Sequence, residues 1–185
     1  MAEVYRAPMR SRRDGLDPQA ALERALGRGL VGFGEAGVDG PAALERLARR
    51  VERFAAVPDG SFVWTRDTDG RYRLGGGGGG YRHRVGQRFA AVPEGSFVGA
   101  RDPAGRYRLG RVDGPYRYDD DPAAVDVDLV HVRPCVWVAD AVSEADVPAA
   151  VVATFGRGGR NFQRTHDPDV GAQTARLWAT LGKRG

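Results

Sequence analysis

Isoleucine is absent from the 185 residues, lysine occurs once, at Lys183, and cysteine once, at Cys135. A single cysteine excludes an intrachain disulfide and a thiolate metal cluster, as suits a reducing compartment. No apolar run approaches the roughly 20 residues a membrane-spanning helix needs, and the opening Met-Ala-Glu-Val lacks the apolar centre of a signal peptide. A soluble, cytoplasmic protein without membrane partners is expected. Histidine is also scarce: His83, His131 and His166 stand at no metal-ligand spacing, so neither metal nor cofactor is expected. The stretch Gly-Arg-Gly-Gly at 156–159 lacks the Gly-Lys-Ser/Thr of a Walker phosphate loop. With no nucleophile, base and orienting group in a familiar constellation, the chain is read as a non-enzyme.

Arginine and glycine are plentiful instead. Lys and Arg total 28 against 24 Asp and Glu, a net charge of +4, and the excess is almost wholly arginine. Clustered guanidinium groups favour nucleic acid because neutralised phosphates release their counterions. Arginine in place of lysine, with no isoleucine, is also what G- and C-rich codons produce.

The sequence repeats itself at an offset of 35. Arg-Phe-Ala-Ala-Val-Pro-Asp-Gly-Ser-Phe-Val at 53–63 returns at 88–98 with one Asp-to-Glu change, and Arg-Tyr-Arg-Leu-Gly at 71–75 returns at 106–110. After 110 the second copy continues as Arg-Val-Asp-Gly-Pro-Tyr-Arg-Tyr, whereas the first has only glycine from 75 to 80. Six glycines contribute no packing and lose the most backbone entropy on ordering, so 75–80 is expected to be a flexible connector. Both copies therefore compete for one place in a sheet. Trp64 favours the first copy over its counterpart Gly99, and direct continuation into the later strands favours the second. The second copy, 96–118, is expected to be integral, with a hairpin reversing at Asp113-Gly114-Pro115. The first, about 56–87, is then an inserted hairpin.

In chain order, residues 1–15, with Arg6, Arg10, Arg12 and Arg13, suit a flexible arm. Residues 16–185 are read as one domain. Asp17-Pro18 starts a short helix ended by Gly27, and the glycine-interrupted strand 29–35 follows, its glycines allowing close approach of a backbone or a flat ligand. Pro41 opens a helix with Ala43, Leu44, Leu47, Ala48, Val51 and Phe54 on its core face and Glu and Arg in solvent. Alternation over 124–132 predicts a strand, and Pro134 a bend before another at 135–138. A helix at about 148–155, a strand at 160–165 and a helix from Asp167-Pro168 to Gly182 complete the chain.

The order of elements predicts an α+β fold, a small mixed β-barrel flanked by short helices, with the duplicated hairpin as an insertion. The runs Tyr-Arg-Leu-Gly-Arg-Val, Asp-Gly-Pro-Tyr-Arg-Tyr-Asp and His-Val-Arg-Pro-Cys-Val-Trp, at 107–119 and 131–137, resemble the barrel domain found beside Mrr-type restriction nucleases, of the wider PUA, ASCH and EVE-like group. What the resemblance implies is a reader of modified or flipped bases in DNA, or an RNA-binding PUA-like module. It would act with a separately encoded nuclease or ATPase, as a monomer or a strand-swapped dimer. The acidic residue and Glu-x-Lys pair of an Mrr nuclease are missing. A protein-interaction module pairing through the extra hairpin edge is the alternative of another class.

A flipped base needs flat or apolar groups to stack on and polar groups at its edge, while arginines hold the flanking phosphates. Phe33 and Glu35 occupy the place where such barrels often carry a Gly-aliphatic-Gly-Trp turn, with Glu35 standing where the tryptophan would be. Tyr116 and Tyr118 share a face and are the next pocket candidates, or else half-buried barrel tyrosines. Arg157, Arg160, Asn161, Gln163 and Arg164 form a phosphate or base-edge cluster, or else a solvated arginine run.

Overall fold

Phe62-Val-Trp-Thr is the most apolar stretch of the first copy, and it lies in the middle of the sheet. The computed structural model describes residues 2–11, 13–17, 19–67, 72–75, 82–83, 98–101, 106–158 and 162–181. In chain order they form β1 (Val4–Arg6), α1 (Ala20–Arg28), β2 (Leu30–Phe33), α2 (Pro41–Ala55), β3 (Phe62–Asp67), β4 (Tyr72–Gly75), β5 (Arg82–His83) and β6 (Val98–Arg101). There follow β7 (Arg106–Val112), β8 (Arg117–Tyr118), α3 (Pro122–Asp126), β9 (His131–Trp137), a 3-10 turn at Glu144–Asp146, α4 (Ala149–Gly156), β10 (Gln163–Arg164) and α5 (Val170–Leu181). The fold is mixed α/β: a curled, half-barrel sheet in the order β10-β1-β3-β7-β9-β2, with β8 also on β9, and five helices. No helix of the described residues is long and apolar enough to cross a membrane.

Alternation along the strands builds two cores. Phe62 and Trp64 join Tyr107 and Leu109 on one face, with Val151 of α4 and Val170 of α5. Val63 and Val112 point the other way, to Leu22 of α1, Leu47 and Phe54 of α2, and Val132 and Cys135 of β9.

The duplicated segments do not sort by copy. Strand β3, from the first copy, pairs antiparallel with β7, from the second, matching Trp64 with Leu109 and Arg66 with Tyr107. The first copy is thus not an appended hairpin. Trp64 is wholly buried, a position Gly99 could not fill. Strand β7 in turn continues into Arg111 and Val112, which pair with Val136 and Cys135 of β9. The other two strands, β4 and β6, pair with each other in a separate three-stranded sheet with β5. Their register, Leu74 opposite Gly99 and Tyr72 opposite Arg101, repeats that of β3 and β7 at the 35-residue offset. The remaining residues of the 75–80 connector lie outside those described.

Three further expectations are corrected. Residues 4–9 are no mobile arm: β1 lies between β3 and β10, with Val4, Arg6, Ala7 and Met9 buried. The chain does not reverse at 113–115. Val112 faces Cys135 and Arg117 faces Val132, so β7 and β8 run the same way along β9 with two extra residues bulged between them. Residues 122–126 form helix rather than strand, because Asp121 accepts a hydrogen bond from the Ala123 N–H and Pro122 sits in the first turn. The strand β9 then runs unbroken through Pro134, which needs only its carbonyl there, accepting from the Asp113 N–H.

Two buried arginines anchor helix ends. Arg133 donates to the carbonyls of Phe54 (3.1 Å), Ala55 (3.4 Å) and Val57 at the end of α2, to the Gly114 carbonyl (2.8 Å) and to the Asp59 carboxylate (2.6 Å). Arg6 donates to the carbonyls of Thr154 and Gly158 around the end of α4, both at 2.6 Å. The terminal carbonyls of a helix have no partner within it, and a cation there also opposes the negative end of the dipole.

Candidate nucleic-acid interface

Helix α2 touches the sheet along a narrow stripe, with Leu47 and Phe54 its only fully buried residues. Leu44, expected in the core, is 60% exposed. Between the flank of α2 and the β1–β10 edge runs a cleft of about 860 Å³. Arg46, Arg49, Arg50 and Arg53 line one side and Arg164 the other, with Tyr5, Phe54 and Phe162 between them; His166 also borders it. No carboxylate-bearing residue lines it among the described residues.

The aromatic floor is stacked. Tyr5 and Phe162 lie 4.9 Å apart at 20°, and Phe162 meets Phe54 edge-on at 4.9 Å. Arg50 donates to the Gly34 carbonyl at 2.8 Å and lies 4.3 Å over the ring of Phe33. Arg49 pairs with Glu45 at 2.7 Å, both exposed, so water screens that pair strongly. Arg164 pairs with Glu3 at 2.9 Å, and Glu3 also accepts from the Tyr5 hydroxyl at 2.5 Å. Burial and then that bond push the Tyr5 hydroxyl up to about 12.

Behind Phe33 is a second cluster, centred on His131. The rings of Phe33, Tyr116 and Tyr118 approach His131 at 5.2, 6.1 and 5.4 Å. The Tyr116 hydroxyl hydrogen-bonds with Nδ1 at 3.0 Å, and Glu35 Oε2 lies 3.9 Å from Nε2, which has no hydrogen-bond partner among the described residues. Tyr118, 49% exposed, donates to Glu35 Oε1 at 2.5 Å, which raises the tyrosine's pKa. His131 itself is buried, and desolvation holds its pKa below the ordinary value. Close approach at the two glycines is made by the protein's own groups. The backbone of His131 lies against Gly32, and the Asp128 side chain against Gly34. That carboxylate accepts from the N–H groups of Glu35 (2.9 Å) and Ala36 (3.0 Å) and from Ser11 Oγ (2.6 Å), fixing the loop that carries Ala36–Val38 into the cleft wall.

No family model, curated protein or solved structure matches this chain.

Of the residues singled out in the sequence, Phe33, Glu35, Tyr116 and Tyr118 come together around His131. Gln163 and Arg164 reach the arginine cleft, where Gln163 also accepts from Arg6 at 3.2 Å. Arg157 is not among the cleft residues and donates to Thr154 Oγ1 at 3.0 Å. Arg160 and Asn161 lie outside the described residues. The sequence reading passed over Arg46, Arg49, Arg50 and Arg53. Their signal was spacing: positions i, i+3, i+4 and i+7 fall on one side of a helix, which by itself looks like an ordinary solvated face.

Proposed function

We propose that this chain is a non-catalytic nucleic-acid-binding module. The observation that carries the reading is the cleft, with arginines on both walls, aromatic rings at its base and no carboxylate-bearing residue among its described lining. Guanidinium groups suit phosphate because their planar fork matches the oxygens and they shed hydration more readily than ammonium. Aromatic faces add a term that any base can satisfy.

The finer reading is a base reader on DNA in a restriction setting, recruiting a separately encoded nuclease or ATPase. It is supported by the resemblance of residues 105–138 and by the grouping of Phe33, Glu35, Tyr116 and Tyr118 beside the cleft. Phe33 bridges the two regions, touching Phe54 on one side and His131 on the other. Within this reading Glu35 is the acceptor for an exocyclic amine, once the Tyr118 hydroxyl is displaced.

The test is anisotropy of labelled DNA and RNA oligonucleotides, with and without base modification, over a salt series. Binding that weakens with salt and is reduced in an Arg46→Ala/Arg53→Ala variant is expected. Absence of salt-sensitive binding to every oligonucleotide would overturn the proposal, and preference for one modification would identify the base that is read.

A further inference from the structure

The dimensions of the cleft bear on which form of nucleic acid it takes. Along α2, each step from Arg46 to the Arg49/Arg50 pair to Arg53 advances about 5 Å at the helical rise of 1.5 Å per residue. The arginines thus form a straight row about 10 Å long, the layout of a wall tracking one backbone. The opposite wall is the short strand β10, which brings Arg164 to the cleft. A volume of about 860 Å³ falls in the class of pockets, about 300–1,000 Å³, that enclose a drug-sized ligand. A cleft of that size, half-open to solvent, has room for a few linked nucleotides. Tyr5 and Phe162 are half-buried and lie inside the cleft, between the charged walls. Stacking on such rings requires a base whose face is free, and in a duplex the faces are occupied by neighbouring base pairs.

From the arginine row and the recessed aromatic pair, we infer that the cleft binds single-stranded nucleic acid, with phosphates along the α2 arginines and a base against Phe162 and Tyr5. This rests on the nucleic-acid proposal above and adds the form of the strand and its orientation. Arg46 and Arg53 carry the phosphate contacts most directly, because both are exposed and neither forms an ion pair among the described residues. Arg50, in the middle of the row, is held by the Gly34 carbonyl and the Phe33 ring.

The experiment compares three probes of about ten nucleotides, within the site sizes of single-strand binders, on the full chain. They are a thymidine strand, the same strand with abasic sites in its centre, and a blunt duplex of equal length. The strand is expected to bind at least about tenfold tighter than the duplex, and the abasic strand about tenfold weaker than the intact one, the loss of a single stacked base. Phe162→Leu keeps apolar bulk against Phe54 and removes the aromatic face. In this variant, its fold checked by thermal melting, the difference between intact and abasic strands should largely vanish. Duplex binding as tight as single-strand binding overturns the inference and leaves nucleic-acid binding standing. Failure of all three probes overturns both. Single-strand binding unaffected by Phe162→Leu and by Arg46→Ala/Arg53→Ala removes this cleft as its location.

Discussion

Arg133 and His131 lie two residues apart in β9, and they illustrate opposite ways of burying a basic side chain. The Arg133 guanidinium is surrounded by five acceptors, three of them carbonyls around the end of α2. Removing it strands those carbonyls, so Arg133→Ala should cost about 3 kcal/mol or more in urea unfolding. Arg133→Lys should recover only part, since one ammonium cannot reproduce the fork. A cost below 1 kcal/mol for the alanine variant would show that α2 is held by other contacts. His131, in contrast, is favoured in its neutral form. Burial lowers its pKa, and Glu35, Asp128 and Arg50 act on it with opposing signs, the carboxylates raising the value and Arg50 lowering it further. The unfolded chain therefore takes up the proton first as pH falls. The stability that neutral His131 contributes is complete above its ordinary value near 6.5 and is lost as pH drops toward the lowered folded value. Melting temperatures between about pH 7.5 and 5 should fall less steeply for His131→Gln than for the unaltered chain. Parallel curves would rule the histidine out as a source of acid sensitivity.

Among the elements, α1, α2, α4 and α5 were legible from their apolar spacing and their proline and glycine boundaries. The misreadings came where local pattern and long-range contact disagree. Val4-Tyr5-Arg6 is too short and too charged to announce a strand, yet Arg6 is buried because the end of α4 supplies its acceptors. Residues 124–128 alternate valine and aspartate as a strand would, but the preceding Asp-Pro pair starts a helix. The duplicated strands were the hardest to place, since both copies have nearly equal local propensity. Their pairing is decided at a distance, by the cavity that Trp64 fills and by the continuation of β7 onto β9. Deleting 68–102 should consequently leave the main sheet intact, joining Asp67 to Arg106 through Pro103-Ala104-Gly105. Shortening the loop should raise unfolding stability by about 1–2 kcal/mol. Circular dichroism and urea titration would test this, and loss of cooperative unfolding would mean that β3 and β7 depend on the excised segment.

On the scale of the whole molecule, the surface excess of arginine gains a direction only when β10 is placed opposite α2. Sequence spacing put Arg46, Arg49, Arg50 and Arg53 on one side of a helix, but the facing wall comes from residues more than a hundred positions later. With three to four of these guanidinium groups on phosphate, the log–log salt slope for a single strand should be about −2 to −3. The pairs with Glu45 and Glu3 act against the steeper value. Arg46→Ala/Arg53→Ala should flatten the slope by about one unit or more; an unchanged slope would assign the electrostatic contacts to another surface.

The matched registers of β3–β7 and β4–β6 also bear on how such a chain can change length over generations. Because equivalent residues lie 35 apart and meet equivalent partners, unequal recombination between the two copies would add or remove one 35-residue unit in frame. Where the exchange falls in Arg-Tyr-Arg-Leu-Gly, 71–75 against 106–110, each product still presents a tryptophan-bearing first strand and a final strand that runs on into β9. Gene length could then drift by whole repeats while the arginine cleft, whose Arg53, Phe54 and Ala56 precede that exchange point, is inherited unaltered.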